Sequence, residues 1–475
     1  MTFSIIIHKI FKDYSTLNFR LKYDVVIIGA GPAGLFAAHE ITEKSSLKVL
    51  VIDKGKDIKN RQCPSLSTFA RCKECNPCNI LSGLGGAGGL SDGKLNLKSN
   101  VGGNLEEFVS KEEAQNLVSK VEQVFVEHGT SGKIYGLNSV DLEKRAASCG
   151  IQFIPITQRH IGSDRLPSIV SSFRDSIKKF GAKFLLNTSV REIHHDVCFE
   201  LKLNENEKIE ADYVIAAPGR SGGSWLSSEA KRLGIFTRFA PIDIGLRIEV
   251  PAVIMESVIE KAWDPKFHII TKTYGDFIRT FCTCPNGFVV MEDYGEYICV
   301  NGYSMANKKS ENTNFAFLTK VKLTHPVENT TSYGASIAKL ATTIGGKMPI
   351  IQRLGDLRQG QRSTVARIEK SFIKPTLKNA TPGDISMAMP HRIVTNIMEG
   401  LEKLDKVIPG VSSDSTLLYA PEIKFYSMRF IVNKNLETNI DNFFVAGDGA
   451  GLSRGIVSSA ATGIIAARGV LKNAG

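Results

Sequence analysis

Four branched apolar residues, Val25, Val26, Ile27 and Ile28, run straight into Gly29, Gly31 and Gly34 in the spacing G-x-G-x-x-G. A run with no polar face is buried on both sides, the habit of a parallel strand, and glycines at that spacing turn a strand into a helix within a few residues. The first permits the turn, the second lets a pyrophosphate approach the backbone, and the third lets the helix lie close on the strand. The amides and dipole at the helix start then favour a diphosphate. A second apolar strand, LKVLVID, ends at Asp53, nineteen residues past Gly34, where a carboxylate meets a ribose hydroxyl. Strand, glycine turn, helix, strand and acid in this order define a dinucleotide site; a plain strand-turn-helix whose glycines serve packing is the alternative.

The same grammar recurs. Tyr213 to Ala217 is apolar and ends in Pro218, Gly219 and Arg220, a buried strand finishing at the carboxyl edge of a sheet, where open α/β folds bind ligands. Near the end of the chain, Phe443 to Ala446 runs into Gly447, Asp448 and Gly449, and Gly455 precedes a long helix with small residues on its face. An acid directly after a strand accepts a hydrogen bond from a polyol hydroxyl while nearby amides face phosphate; a helix N-cap aspartate is the alternative. Between these pieces, GLGGAGGLSDGKLNL over 83–97 has neither an apolar strand before it nor a regular helix after it. It reads as a ligand-contacting loop that includes Gly86 and Ser91, with Asp92 and Lys94 as further polar groups; plain flexibility is the alternative.

Apolar spacing predicts an amphipathic helix from Glu106 to His128, a shorter one from Asn138 to Cys149, a strand in IQFIPITQ and a helix from Asp164 to Phe180. Short strands in AKFLLN, SVREIHH and VCFELKL follow. From Asp243 the texture changes to strands separated by turns, DFIRTFCTCP, GFVVMED, EYICVNG and NFAFLTKVKL, with helices near 330–344 and 391–407. The expected architecture is α/β. A discontinuous Rossmann-like domain spans 21–239, with Cys-rich and helical insertions at 60–150, and is completed by 420–475. It surrounds a second α+β substrate domain at 240–419 built on a mostly antiparallel sheet, and residues 1–20 read as an N-terminal extension.

No run of eighteen apolar residues occurs, so no transmembrane segment is expected. The net charge of +11 suits an anionic cofactor, a membrane surface or nucleic acid, yet Lys and Arg are scattered along the chain. A generally basic surface is therefore expected, with peripheral membrane contact or nucleic-acid contact, as in tRNA modification, not favoured. Nine cysteines without a secretion signal indicate a reducing compartment, read as the cytoplasm. Cys63, Cys72, Cys75 and Cys78 leave open a zinc or iron–sulfur site, a redox pair and inert thiols. Cys282 and Cys284 read as reduced thiols on one face of a strand, packed in a core, and His194 and His195, on opposite faces of a strand, make a poor chelator.

GAGPAG with Asp53, AAPGR at 216–220 and VAGDGAG at 445–451 together resemble the two-dinucleotide-binding-domain flavoprotein superfamily. GLGGAGGLSDGKL, RTFCTCPNGFVV, APEIKFYS and GDGAGLSRGIVSSAATG are similar to a family of FAD-dependent dehydrogenases distantly related to the geranylgeranyl reductases, and the resemblance runs from Tyr23 onward. It implies FAD, with Gly29, Gly31, Gly34 and Gly219 at the turns and Asp53 on the adenosine ribose. The backbone of Val190, in a strand over 188–193, would meet the adenine, and Gly447 and Asp448 the ribityl and pyrophosphate groups. It also implies an FAD-dependent oxidoreductase that moves hydride between flavin and a small organic substrate, an isoprenoid-like C=C among the candidates. NAD(P)H would be a transient donor, because no second strand-flanked glycine motif is present. The rival readings are a flavoprotein acting on nucleic acid, as in tRNA modification, and a non-enzymatic dinucleotide-binding module. No catalytic residue is singled out: His391 reads as a helix start, and Arg247, Arg279 and Arg392 as grips for an acidic substrate or as salt-bridge members.

Overall fold

The computed structural model describes residues 21–64, 75–91, 93–131, 134–137, 139–162, 164–204, 207–304, 308–325, 328–424 and 428–475; the N-terminal extension, Cys72 and Asp92 lie outside the described residues. Leu21–Ile28 takes parallel partners on both sides, Val49–Asp53 and Lys208–Ala216, as a strand with no polar face requires. Lys183–Leu186 extends the sheet beyond Val49–Asp53. Lys208–Ala216 serves different neighbours along its two halves. Its start pairs antiparallel with Phe199–Lys202, and its end pairs parallel with Phe443–Val445. Ile28 lies level with Ile52 and with Ala216, and Ala216 lies level with Val445. Four strands from distant parts of the chain therefore stop at one edge, and the fold is the Rossmann-like α/β type.

The helix Pro32–Lys44 begins with proline in its first turn and lies against the C-terminal helix Ile456–Ala474. The approach is backbone to backbone. A Cβ on Gly34 would stand 1.8 Å from the Gly29 carbonyl oxygen, and one on Gly463 2.0 Å from that of Ala33. Glu40 locks the same helices together. Its fully buried carboxylate accepts from Lys44 (2.7 Å), from Lys120 of the helix Lys111–Glu127 (2.6 Å) and from Arg468 of the C-terminal helix (3.0 Å). Burial pushes this carboxyl up, but the three cationic donors outweigh burial and hold it at about 2. The helix Lys111–Glu127 starts later than Glu106 because Ser110 caps it, accepting from the Glu113 amide.

A second core forms around an eight-stranded, mostly antiparallel sheet. Ile242–Pro251 sits at its centre, between Asn312–Val321 and Leu417–Lys424. Phe277–Cys284 and then Lys266–Ile270 follow on one side, and Ile350–Arg353 lies on the other. A separate hairpin pairs Phe288–Asp293 with Ile298–Tyr303.

Two expected boundaries move. The strand Leu417–Lys424 belongs wholly to the antiparallel sheet, so that unit runs to residue 424 rather than 419. Gln152–Ile154 pairs with Lys266–Ile270, and Leu142, Ala146, Ile151 and Phe153 are buried in the second core although they fall within 21–239. A short amphipathic helix and a three-residue strand can cover either sheet, and position in sequence does not choose between them. Among the described residues, no helix is long and apolar enough to cross a membrane.

Glu40 gives the fold an acid-sensitive joint. Below about pH 4.5 the unfolded chain binds a proton that the folded carboxylate refuses until about 2, so this contribution, about 3 kcal/mol at neutral pH, is present above 4.5 and fades as pH falls toward 2. Urea titrations should find Glu40→Gln clearly destabilised at pH 7, with the gap from the parent protein closing as the pH approaches 2.

Candidate functional site

Past their last paired residues the four strands stay stitched. Gly29 N donates to Ile52 O (2.7 Å), Ala217 N to Ile28 O (2.8 Å) and Ala446 N to Ala216 O (3.1 Å). The chain then turns at Gly29 (φ 107°), Gly219 (64°) and Gly447 (79°), conformations that favour glycine. Gly86 brings the loop 83–91 onto the first turn: a Cβ there would lie 2.9 Å from the Gly31 Cα.

Asp53 fixes this junction. Its carboxylate accepts from the amides of Ala30, Gly55 and Gly83, each at 2.8 Å. A carboxylate has about four lone-pair directions, so one is left for a ribose hydroxyl. The aspartate expected at the ribose therefore also joins the two glycine loops. Arg61, which sequence reasoning did not single out, ties the loop from the other side. Its buried guanidinium donates to the carbonyls of Asn79 (2.9 Å), Ile80 (2.7 Å), Leu84 (2.7 Å) and Gly86 (2.9 Å). Burial lowers it to about 10, so it remains charged at neutral pH.

Asp448 does not cap the C-terminal helix, whose N-cap is Gly455. It opens a short 3-10 turn after Gly447 and accepts from Arg220 Nε at 3.2 Å, which links the two outer turns. The Ser91 hydroxyl closes its own loop, donating to Gly88 O (2.8 Å) and accepting from Gly93 N (3.2 Å). Val190 is buried but precedes the strand expected to contain it, which spans only Glu192–His195; residues 188–191 are irregular.

Gly29, Gly31, Asp53, Gly86, Ser91, Val190, Gly219, Gly447, Asp448 and Gly455 all line one cavity of about 1780 Å³. Gly34 packs beneath it, against Gly29. Pockets for drug-sized ligands run to about 1,000 Å³, so this one has room for a longer guest. A Cβ on Gly219 or Gly455 would enter open space, and one on Gly31 would meet only the Gly86 Cα, at 3.7 Å. The bare backbone is thus left open to the cavity, the arrangement a dinucleotide needs.

The antiparallel sheet supplies the opposite wall. The Phe281 ring lies among three cations, with Lys266 Nζ at 4.8 Å, Arg279 at 5.1 Å and Lys424 Nζ at 5.9 Å from its centroid. Carboxylates support them: Asp264 on Lys266 (2.6 Å), Asp243 on Arg279 (2.5 Å) and Glu422 on Lys424 (2.7 Å). Burial would raise the Asp264 carboxyl, but Lys266 and Lys94 hold it well below the usual range. Burial lowers His268 to about 4, with Arg279, Lys266 and Lys320 adding to the effect, so its ring is neutral at pH 7. Of the three arginines weighed as substrate grips, only Arg279 lines the cavity. Arg247 is fully buried on Glu422 (3.2 Å), and Arg392 pairs with Asp276 (2.6 Å). His391 starts its helix and meets the Tyr274 hydroxyl at 3.3 Å.

The C-x-C segment departs from the expected alternation. Cys282 adopts φ 48°, and the pairing with Asn312–Val321 slips between Phe281 and Cys284. A non-glycine residue held there costs about 1 kcal/mol. Cys284 is buried as expected, whereas Cys282 is half-buried on the cavity wall. Cys63, Cys75 and Cys78 are half-buried, and among the described residues no group of three or more His, Cys, Asp or Glu could hold a metal ion.

Converging glycine turns on a parallel sheet, roofed by an antiparallel unit, define a flavoprotein of the dinucleotide-binding class. Residues 23–144 match the family described as pyridine nucleotide-disulphide oxidoreductase, and residues 241–424 match the one described as FAD-dependent protein, C-terminal domain-like. Both matched parts identify an FAD-dependent oxidoreductase. It is 25% identical to an uncharacterized protein of Clostridium beijerinckii over 95% of this chain and 81% of the relative. A segment of 33 residues is 70% identical to an uncharacterized protein of Methanosarcina barkeri, covering 7% of this chain and 8% of the relative. Among solved structures, L-proline dehydrogenase from P. horikoshii aligns at TM-score 0.42 and 13% identity over 96% of this chain and 95% of its own. Glycine oxidase from Geobacillus kaustophilus aligns at TM-score 0.38 and 14% identity over 95% of both chains.

Arg61 offers a direct test of how the glycine loop is held. Removing it takes a donor from four carbonyls, of which Gly86 O keeps the Gly89 amide (3.2 Å), so Arg61→Ala should lower stability by about 3 kcal/mol, read from the urea midpoint. Arg61→Lys should recover less than half of that, because one ammonium lacks the planar fork that spans the four acceptors.

Proposed function

We propose that this oxidoreductase holds FAD extended along the shared strand edge and reduces or oxidises an anionic organic substrate beneath the antiparallel unit. The observation that carries this reading is the convergence of the Gly29, Gly86, Gly219 and Gly447 turns on one cavity whose far wall presents paired cations around Phe281. Gly31 and the amides at the start of the first helix would take the pyrophosphate, Asp53 the ribose through its remaining lone pair, and Val190 the adenine side. Asp448 would take a ribityl hydroxyl beside Arg220. Bound flavin supplies hydride chemistry.

The remaining work falls to side chains. Lys266, Arg279 and Lys424 would bind a carboxylate or phosphate on the substrate, and the carboxylates behind them keep them oriented. His268, neutral, adds no competing charge. The hairpin Phe288–Tyr303 contributes Phe288, Val289 and Met291 to the cavity and would keep water from the reacting atoms. An isoprenoid-like C=C remains compatible when the chain carries an anionic head, because the apolar hairpin and the cations line the same space. Nicotinamide nucleotide would then act as a visiting donor.

Purified protein should carry the yellow absorbance of oxidised flavin or take it up from added FAD, and a protein that stays colourless overturns the reading. Gly31 has an ordinary extended backbone (φ −76°), so Gly31→Val should leave the thermal midpoint within a few degrees and weaken FAD binding by roughly 100-fold or more in fluorescence titrations. For the substrate class, photoreduced enzyme should be reoxidised by a panel of organic acids and not by their methyl esters. Equal rates with both would remove the anionic requirement.

A further inference from the structure

We infer that Cys282 and Cys284 form a redox dithiol on the cavity wall that exchanges an electron pair with the flavin assigned above. The geometry separates two roles that alternation along a regular strand would not. The left-handed turn at Cys282 and the slip in pairing after Phe281 leave Cys282 half-buried on the cavity and keep Cys284 buried behind it. Cys284 Sγ lies 3.6 Å from Cys282 O, so the segment folds back on itself. An accessible thiol backed by a buried one is the arrangement of an attacking and a resolving cysteine.

The surroundings are built to hold a thiolate. Arg247, fully buried, donates to Cys282 O (2.7 Å) and lies 3.3 Å from Cys284 Sγ. Its guanidinium occupies the space above Gly302, where a Cβ would stand 1.6 Å from Nη2, so the neighbouring strand must be bare for Arg247 to reach the cysteines. Lys94 donates to Thr283 O (3.3 Å), and the Thr283 amide donates to Asp264 (2.9 Å), which pins the residue between the cysteines from both sides. The Cys284 thiol, acting on the Cys282 sulfur, holds Cys282 well below the ordinary thiol range against the effect of burial, and Lys94 and Arg247 add to this; Cys284 is pushed correspondingly up. The electropositive, partly exposed position is that of a reactive cysteine, and an inert buried one needs none of it.

The balance is simple. Two S–H bonds break and one S–S bond forms between Cys282 and Cys284, and the two electrons and two protons released reduce one oxidised flavin; the reverse transfer regenerates the dithiol. Because this rests on flavin occupying the cavity, the test has two arms. In anaerobic dithionite titration of the FAD-loaded disulfide form, the protein should take up four electrons per flavin, and C282S and C284S only two each. Uptake of two by the parent protein overturns the dithiol while leaving the flavin reading intact, and failure to bind FAD overturns both. In flavin-free protein, iodoacetamide labelling followed by peptide mass spectrometry should find Cys282 reacting at least tenfold faster than Cys198 at pH 6. Lys94→Gln should slow Cys282 severalfold without slowing Cys198. Equal labelling of the two cysteines, or no effect of Lys94→Gln, overturns the proposal even where the serine variants fold poorly.

Discussion

The structure depends on the carboxylate of Asp53. Three amides from three separate stretches, at Ala30, Gly55 and Gly83, point at it. Hydrogen bonds to a charged acceptor are worth about twice those between neutral groups, so one side chain holds the first turn and the glycine loop in fixed relation. Arg61 completes the arrangement with opposite charge, drawing together four carbonyls of the stretch 79–86. The turns on the cavity floor are therefore shaped by one half-buried acid and one buried base.

The opposite wall follows another logic. Its cations are individually neutralised, yet their carboxylates stand behind them, so the pairs satisfy the cost of burial without hiding the positive ends from the cavity. Phe281 collects three of them around one ring. On the proposed reading, a floor that takes phosphate and a roof that takes carboxylate or phosphate both suit an anionic guest, in keeping with the net charge of +11.

Much of this was legible in the sequence because glycine and branched residues act locally. Val25–Ile28 can only be a doubly buried strand, and a turn such as that at Gly219 or Gly447 needs a residue that accepts positive φ. Ile242–Pro251, Phe277–Cys284 and Asn312–Val321 were equally plain, whereas the strands Lys266–Ile270, Ile350–Arg353 and Leu417–Lys424 were not. What escaped was set by distance. Nothing near Arg61 in the chain announces that four carbonyls from residues 79–86 will surround it. The segment 140–154 has too few apolar residues to declare which core it will cover. Cys282 was misread for a different reason: alternation on a strand assumes regular φ, and a single left-handed residue redirects the side chain.

The path of the chain between the two cores has a mechanical consequence. The polypeptide leaves the parallel sheet for the antiparallel one near residue 139, returns near 157, leaves again near 240 and comes back after 424. A roof fastened by four strands of backbone cannot swing on a single hinge like a lid with one tether. The hairpin Phe288–Tyr303, although paired apart from the large sheet, is anchored by the buried Val289, Cys299 and Val300 and so belongs to the same fixed roof.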